Sequence, residues 1–297
     1  MAVLLVKPRY ALSLWRQGLR TVRDYMSRLE GVRITRHHGR EVSWLALDGV
    51  QGFLKKQFRI PVKDFFSSWW GGFGWVSRSR REWQVLHLLR ERQMLCPEPI
   101  AVGESGQEGF LLTSRLPHCI DLPTFLRSGP TSARRWQVLK RLGARIADLH
   151  DAGFDHPDLY AKHIFIDERT GDVGFVDFQR TCRHPWGVAW SKRWRDLAAL
   201  HASLDDTAVT PTERLGVLVA YLKRNDAIRC RPLALRGLLA ISRRAEQLLR
   251  RRKVRALRAA TAMSDEPIAI FQYRLAMDKL PAATPEAKLE GRGRIAC

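Results

Sequence analysis

Acidic side chains are in short supply in this sequence. Asp and Glu number 30 against 51 Lys and Arg, a formal charge of +21, and such a surplus points to a polyanionic partner or surface: nucleic acid, anionic lipid and phosphorylated glycolipid all satisfy it. Cysteine is sparse and poorly spaced. The five (Cys96, Cys119, Cys182, Cys230, Cys297) are odd in number and form no C-x-x-C pair, which argues against a disulfide framework and a structural zinc site and for a reducing compartment. Long apolar runs are missing as well. The run after Met1 is five residues long and basic residues follow it, so it lacks a signal-peptide core, and no window approaches the roughly 18 apolar residues of a membrane span. Any membrane contact is therefore expected to be peripheral. A Gly-rich phosphate loop is also lacking. What is present is apolar residue in quantity, 45% of 297 residues, enough for one two-lobed domain or two small ones.

The chemistry concentrates between His150 and Arg180. A short apolar strand (His163 to Ile166) is followed by a turn over residues 168–172 and a second apolar strand (Val173 to Val176). Asp158 lies five residues before the first strand and Asp177 directly follows the second, so a hairpin brings both carboxylates to one end of a small sheet. Singly, each is an ordinary turn aspartate. Together they suit a reaction in which one carboxylate deprotonates a hydroxyl while the other holds a divalent cation on a polyphosphate, the plan of protein kinases. His156-Pro157-Asp158 through His163, then Asp177-Phe178-Gln179, has kinase spacing, with His163 where Asn is usual. His150, His156, His163 and His184 do not match a zinc-binding spacing.

This pattern, H-x-D-x-Y-x-x-H followed by a hydrophobic strand ending in V-D-F-x-R, resembles the lipopolysaccharide kinase family, the Kdo and heptose kinases of the inner core. A histidine at the position of His163 is usual in the heptose-kinase branch. Phe53-Leu54-Lys55-Lys56 and Arg81-Glu82-Trp83 are similar to the same family, and the likeness spans roughly residues 31 to 200. It implies an α+β, two-lobed protein-kinase-like fold, with a small antiparallel β lobe and a larger helical lobe. It also implies ATP and Mg2+, with Asp158 as the base, Asp177 on the metal, His163 near the metal or phosphates, Lys55 on the α- and β-phosphates and Glu82 as its ion-pair partner. His156 is expected to orient the loop, and Asp196, in R-D-L-A-A-L, to hydrogen-bond it from beneath.

In chain order, apolar positions between Leu12 and Leu29 predict a basic amphipathic helix over residues 10–30. Val32–His37, Val42–Leu47 and Val50–Phe58 read as a β-meander, with turns at His38-Gly39-Arg40, the one segment able to replace the phosphate loop, and at Asp48-Gly49. Strand alternation sends one of Lys55 and Lys56 toward the cleft and the other outward; the resemblance assigns the cleft to Lys55, so Lys56→Met is expected to be near neutral. Residues 65–75, rich in aromatics and glycine, read as a loop that packs on the small lobe or offers tryptophans to a bilayer interface. Ser114 to Leu122 is the expected hinge. A helix spans 131–152, ended by Gly153; further helices cover 212–223 and 233–263. The second of these is basic and amphipathic, a membrane-surface element or a solvated face. The resulting organisation is an N-terminal helix (1–30), a nucleotide lobe (31–117), a catalytic lobe (118–281) and a basic tail (282–297).

Three functions fit. The favoured one is phosphorylation of a lipopolysaccharide core sugar, most simply heptose, by a cytoplasmic enzyme peripheral to the inner membrane. The second is a soluble aminoglycoside- or choline-type kinase, which usually keeps Asn at the position of His163. The third is a catalytically silent module binding anionic glycolipid or nucleic acid, against which Lys55, Glu82, Asp158 and Asp177 argue together; nucleic acid is the less expected partner.

Overall fold

The computed structural model describes residues 2–37, 39–47, 49–224 and 230–262. His38 and Asp48 of the two expected turns, the segment expected to end at Pro281, and the tail from 282 onward lie outside the described residues.

The small lobe is a six-stranded antiparallel sheet, formed by β1 (Val3–Val6), β2 (Val32–His37), β3 (Arg40–Leu47), β4 (Val50–Gln57), β5 (Pro99–Ser105) and β6 (Glu108–Ser114), in the order β1-β5-β6-β4-β3-β2. The meander predicted from residues 32–58 is its β2-β3-β4 portion. The N-terminal segment departs from the single helix expected over 10–30. It forms β1, paired with β5, then α1 (Pro8–Arg16) and α2 (Val22–Ser27). Gly18, at φ +78°, ends the first helical run in a conformation that glycine adopts readily. Thr21 then starts α2 with a capping box: its hydroxyl accepts from the Asp24 amide while Asp24 accepts from the Thr21 amide. The apolar residues that suggested one amphipathic helix are spread over both, and Leu14, Leu19, Val22, Tyr25 and Met26 pack on one face of the sheet, Tyr25 stacking on Phe110 at 4.3 Å. Tyr10, Lys7 and Arg9 also converge on the buried carboxylate of Glu98, fastening this segment to the lobe.

The second departure is the aromatic stretch. Residues 62–70 are a helix, α3 (Val62–Trp70), rather than a loop. Its glycines fall after the helix, at 71, 72 and 74, and end it instead of preventing it. The helix α4 (Arg78–Glu91) follows, capped by the Ser77 hydroxyl.

The hinge leads from β6 into β7 (Cys119–Asp121), which joins β8 (Ile164–Asp167) and β9 (Val173–Phe175) in a three-stranded sheet of the large lobe. Helix α5 (Leu122–Arg127) precedes the long α6 (Ser132–Asp151), where Thr131 caps the first turn and Gly153, at φ +84°, lets the chain turn into the catalytic loop. The apolar spacing read from the sequence is the buried face of α6: Leu139, Leu142, Ile146 and Leu149 are fully enclosed. Helices α7 (Trp190–His201), α8 (Pro211–Arg224) and α9 (Arg231–Ala262) complete the lobe, α8 packing on α6 and α9 on α7.

Candidate active site

Strand β4 places Lys55 and Lys56 on opposite faces. Lys55 Nζ donates to Glu82 Oε1 at 2.7 Å, and its ion pair with Asp177 spans 4.0 Å. Glu82 lies on the buried stripe of α4 with Val85 and Leu89. Burial, and after it the Asp177 carboxylate, push its carboxyl above the ordinary glutamate value, and the Lys55 ammonium opposes that rise. The lysine offsets a desolvation cost that an unpaired carboxylate would bear in full.

Lys56 overturns the expectation of an outward, solvated side chain. Its face of the sheet is covered by α2, and Nζ donates to the carbonyls of Met26 (2.9 Å) and Leu29 (2.7 Å) at the C-terminal end of that helix. Lys56→Met is therefore expected to leave two buried acceptors unsatisfied and to cost roughly 1–3 kcal/mol of stability without a direct effect on nucleotide binding. Lys55→Met raises the KM for nucleotide and lowers turnover, and also destabilises the fold by leaving the buried Glu82 carboxylate without its cation. Thermal melts and steady-state kinetics on the two variants check this; equal kinetic defects in the two would contradict the contrast.

The catalytic loop is anchored from below. The Asp196 carboxylate on α7 accepts from the backbone amide of His156 at 2.7 Å and from His150 Nε2 at 3.3 Å. Burial opposes ionisation of Asp196, but the His150 bond and the Arg195 guanidinium hold its pKa below the usual aspartate value. His156 Nε2 donates to the Val176 carbonyl at 3.1 Å, tying the loop to the residue before Asp177.

His163 links the two carboxylate positions. It sits at the end of a 3₁₀ turn (Ala161–His163), with Nδ1 donating to the Asp158 carbonyl at 2.8 Å and Nε2 3.7 Å from Asp177 Oδ2. Burial lowers the imidazole pKa and favours the neutral ring. With Nδ1 carrying the proton, Nε2 presents a lone pair toward a carboxylate. Two donors facing one another in this way suit a cation between them. Burial opposes ionisation of Asp177, yet the Lys55 ammonium holds its pKa below the ordinary value. Asp177 has φ +68°, a backbone conformation sparsely used by non-glycine residues and tolerated best by Asp and Asn. Among the described residues no group of three or more His, Cys, Asp or Glu could hold a metal. A cation at Asp177 would therefore complete its shell with phosphate oxygens and water, as Mg2+ commonly does; an imidazole nitrogen is a less usual donor for Mg2+.

Several residues at this site escaped the sequence reading as individuals. Arg180, which closes the V-D-F-x-R pattern, donates to Asp158 Oδ1 at 2.8 Å. Asp155 is fully buried and accepts from the Cys182 amide (2.6 Å), Arg195 Nη2 (2.9 Å) and His184 Nε2 (3.2 Å). Burial works against its charge, but these three partners bring the pKa down to about 2. Arg81, 1% exposed, donates to the Gln179 carbonyl and to Ser67, and Arg40 reaches Gln179 Oε1 at 3.4 Å. The available signal was charge density in a segment whose apolar content demanded burial. That density does not reveal which acid meets which base.

The model of the lipopolysaccharide kinase (Kdo/WaaP) family matches residues 26–221. The chain is 34% identical over 194 residues to the lipopolysaccharide core heptose(I) kinase WaaP of Pseudomonas aeruginosa, covering 60% of this chain and 71% of that one. It is 30% identical over 178 residues to a 3-deoxy-D-manno-octulosonic acid kinase of Pasteurella multocida, covering 56% and 72%. A solved structure of WaaP in complex with acyl carrier protein superimposes with a TM-score of 0.62 at 24% identity, over 84% of this chain and 99% of that chain, and shares the two-lobed kinase-like fold. The protein is a member of the lipopolysaccharide kinase (Kdo/WaaP) family.

Proposed function

We propose that this chain transfers the γ-phosphoryl group of ATP to a sugar hydroxyl of the lipopolysaccharide inner core, heptose being the expected acceptor. The observation that carries this reading is the convergence of the Lys55–Glu82 pair, Asp177, His163 and Asp158 on one cleft. Phosphoryl transfer passes through a loose transition state, so positioning and charge stabilisation do most of the work. Arg180 occupies Asp158 Oδ1, and Oδ2 is the oxygen that can take the hydroxyl proton as the new O–P bond forms and the β,γ-bridging P–O bond breaks. Lys55 neutralises the phosphate charge that leaves with ADP. A bound Mg2+ supplies further charge neutralisation on the phosphate oxygens, with Asp177 as its carboxylate ligand and His163 beside it. Kinship with a heptose(I) kinase supports heptose; kinship with Kdo kinases makes Kdo the second acceptor to test.

The deciding experiment is transfer of labelled γ-phosphate to dephosphorylated core lipopolysaccharide, beside a panel of free sugars, aminoglycosides and nucleic acids. Labelling of the core alone, dependent on Asp158, supports the reading; labelling of a soluble small molecule in preference to the core sinks it.

The acceptor is a glycolipid, and we place the enzyme peripherally on the cytoplasmic face of the inner membrane. Among the described residues no helix is long and apolar enough to cross a membrane. Helix α9 carries exposed Arg250, Arg251 and Lys253, whereas Arg252 donates to the Ala202 carbonyl at 2.7 Å and lies over the Tyr160 ring beside the catalytic loop. Replacing the first three with Gln is expected to weaken binding to anionic vesicles by up to about 100-fold at low salt, at about 1 kcal/mol per charge, and to do little at high salt. Vesicle sedimentation across a salt series measures this; unchanged binding at low salt would make the face a solvated one.

A further inference from the structure

Helix α3 is built inside out. Its enclosed positions are polar, Asp64 and Ser68, four residues apart. Its outward positions are Val62, Phe66, Trp69 and Trp70, spaced four, seven and eight from the first and 57–84% exposed. A surface helix ordinarily buries its apolar stripe and exposes the polar one. The reversal is sustained by partners for the buried polar groups. Asp64 is paired with Arg78 (2.8 Å) and Arg40 (3.3 Å) and accepts from Gln57 Nε2 (3.2 Å), while the Ser68 hydroxyl donates to the Asp64 carbonyl at 2.9 Å.

The outward face continues beyond the helix. Trp75, 55% exposed, packs edge-on against Phe66 at 4.8 Å. The Arg183 amide donates to the Gly71 carbonyl at 2.8 Å, which brings the turn bearing Trp186, 99% exposed, alongside the end of α3. The fringe is basic: Arg59, Lys63 and Arg183 are exposed, Asp64 is the only acid between residues 57 and 75, and there is none between 178 and 195.

We propose that α3, together with Trp75 and Trp186, inserts into the interfacial layer of an anionic bilayer. Tryptophan is favoured at the boundary of headgroups and acyl chains, and the flanking cations complement an anionic leaflet. Soluble proteins seldom leave so contiguous an apolar surface without an occupant. The segment from Asp177 to Trp186 is short and runs from the metal position to this face, so docking here holds the cleft at the membrane surface. The identity of the acceptor as a lipid-anchored sugar rests on the function proposed above; the docking itself does not.

The test uses the full-length protein and its Phe66→Ser/Trp69→Ser/Trp70→Ser variant, whose changes lie in solvent and spare the core. Vesicles of phosphatidylcholine and phosphatidylglycerol are sedimented at about 0.5 M salt, where charge attraction is confined to a few Å. The expected result is a loss of about tenfold or more in vesicle binding by the variant, because interfacial affinity scales with inserted apolar area. Brominated lipids should quench wild-type tryptophan fluorescence and quench the variant much less. Transfer to a deacylated core saccharide should be unchanged, while transfer to the same core presented in vesicles falls. Equal sedimentation of both proteins, or no quenching of the wild type by brominated lipid, overturns the proposal, and the face then serves a protein partner. If the wild type phosphorylates neither acceptor, the proposed function fails, and sedimentation and quenching still decide the docking.

Discussion

Asp158→Ala is expected to lower phosphoryl transfer by ~10²–10⁴-fold, the usual contribution of a positioned general base. The variant should fold normally. The side chain is partly exposed, and its hydrogen bond is to Arg180, itself 60% exposed, so the loss of this pair contributes little to stability. Asp177→Ala should be at least as damaging to activity, because it removes the carboxylate that would hold the cation and also the anion that faces Lys55 and His163. Its effect on stability should be modest and unfavourable, since alanine adopts the positive φ of this position less readily than aspartate. The two variants should separate by nucleotide binding. Asp158→Ala keeps nucleotide affinity in the presence of Mg2+, and Asp177→Ala loses the Mg2+-dependent part. Near wild-type transfer by either protein, with an unchanged melting temperature, would remove that residue from the mechanism.

Asp155→Ala is expected to be the most destabilising single change at the site. It deprives the Cys182 amide, His184 and Arg195 of a common acceptor inside the large lobe. Breaking a buried charge pair by deleting one partner typically costs 3–5 kcal/mol; roughly 3 is expected here because Arg195 keeps Asp196 at 2.8 Å. The Asp155 pKa, held at about 2 against an unfolded value near 3.8, sets the pH dependence. A depressed carboxyl stabilises the fold above its unfolded pKa, and that contribution drains away as the pH falls from about 4 to about 2. The wild type should therefore lose roughly 2–3 kcal/mol across this window, and Asp155→Ala should lose correspondingly less. Asp155→Asn retains an acceptor for the Cys182 amide and should recover part of the stability at neutral pH. Chemical denaturation at pH 7 and across pH 2–5 measures all three; parallel pH profiles for wild type and Asp155→Ala would show that other carboxyls govern acid stability. Activity should fall too, since Asp155 fastens the catalytic loop to the segment that carries Arg180.

The elements legible in the sequence were those whose signal is local. The β2-β3-β4 meander and helix α6 follow from alternation, turn residues and three-four apolar spacing, and each forms where the pattern places it. Lys55 and Glu82, 27 residues apart, could be paired because Phe53-Leu54-Lys55 and Arg81-Glu82-Trp83 resemble the family's motifs; strand alternation alone left Lys55 and Lys56 open. Where the reading failed, the competing signal came from elsewhere in the fold. Residues 10–30 carry helical spacing, but Gly18 and the Thr21 cap divide them, and the sheet face they cover is what makes the two short helices stable. The glycines of 65–75 and the absence of inward apolar periodicity suggested a loop; the glycines fall after the helix, and buried Asp64, paired with arginines from β3 and α4, lets the helix turn its apolar side outward. Lys56 was placed on the correct face, and only the packing of α2 made that face an interior.

By itself, then, the sequence determined the meander and the long helix α6, the two aspartates beside the β8-β9 hairpin, and the excess of basic residues, because each depends on residue type and spacing along a few turns of chain; the kinase-like fold was implied by the motifs' resemblance to the lipopolysaccharide kinase family. Tertiary structure decided which charges meet. That Asp155 joins Cys182, His184 and Arg195, that Arg180 rests on Asp158, and that His163 turns a lone pair toward Asp177 are outcomes of packing between segments tens of residues apart. The same aspartate reads identically in a solvated turn or a buried network, and its partners and charge follow from the desolvation that only the assembled fold imposes.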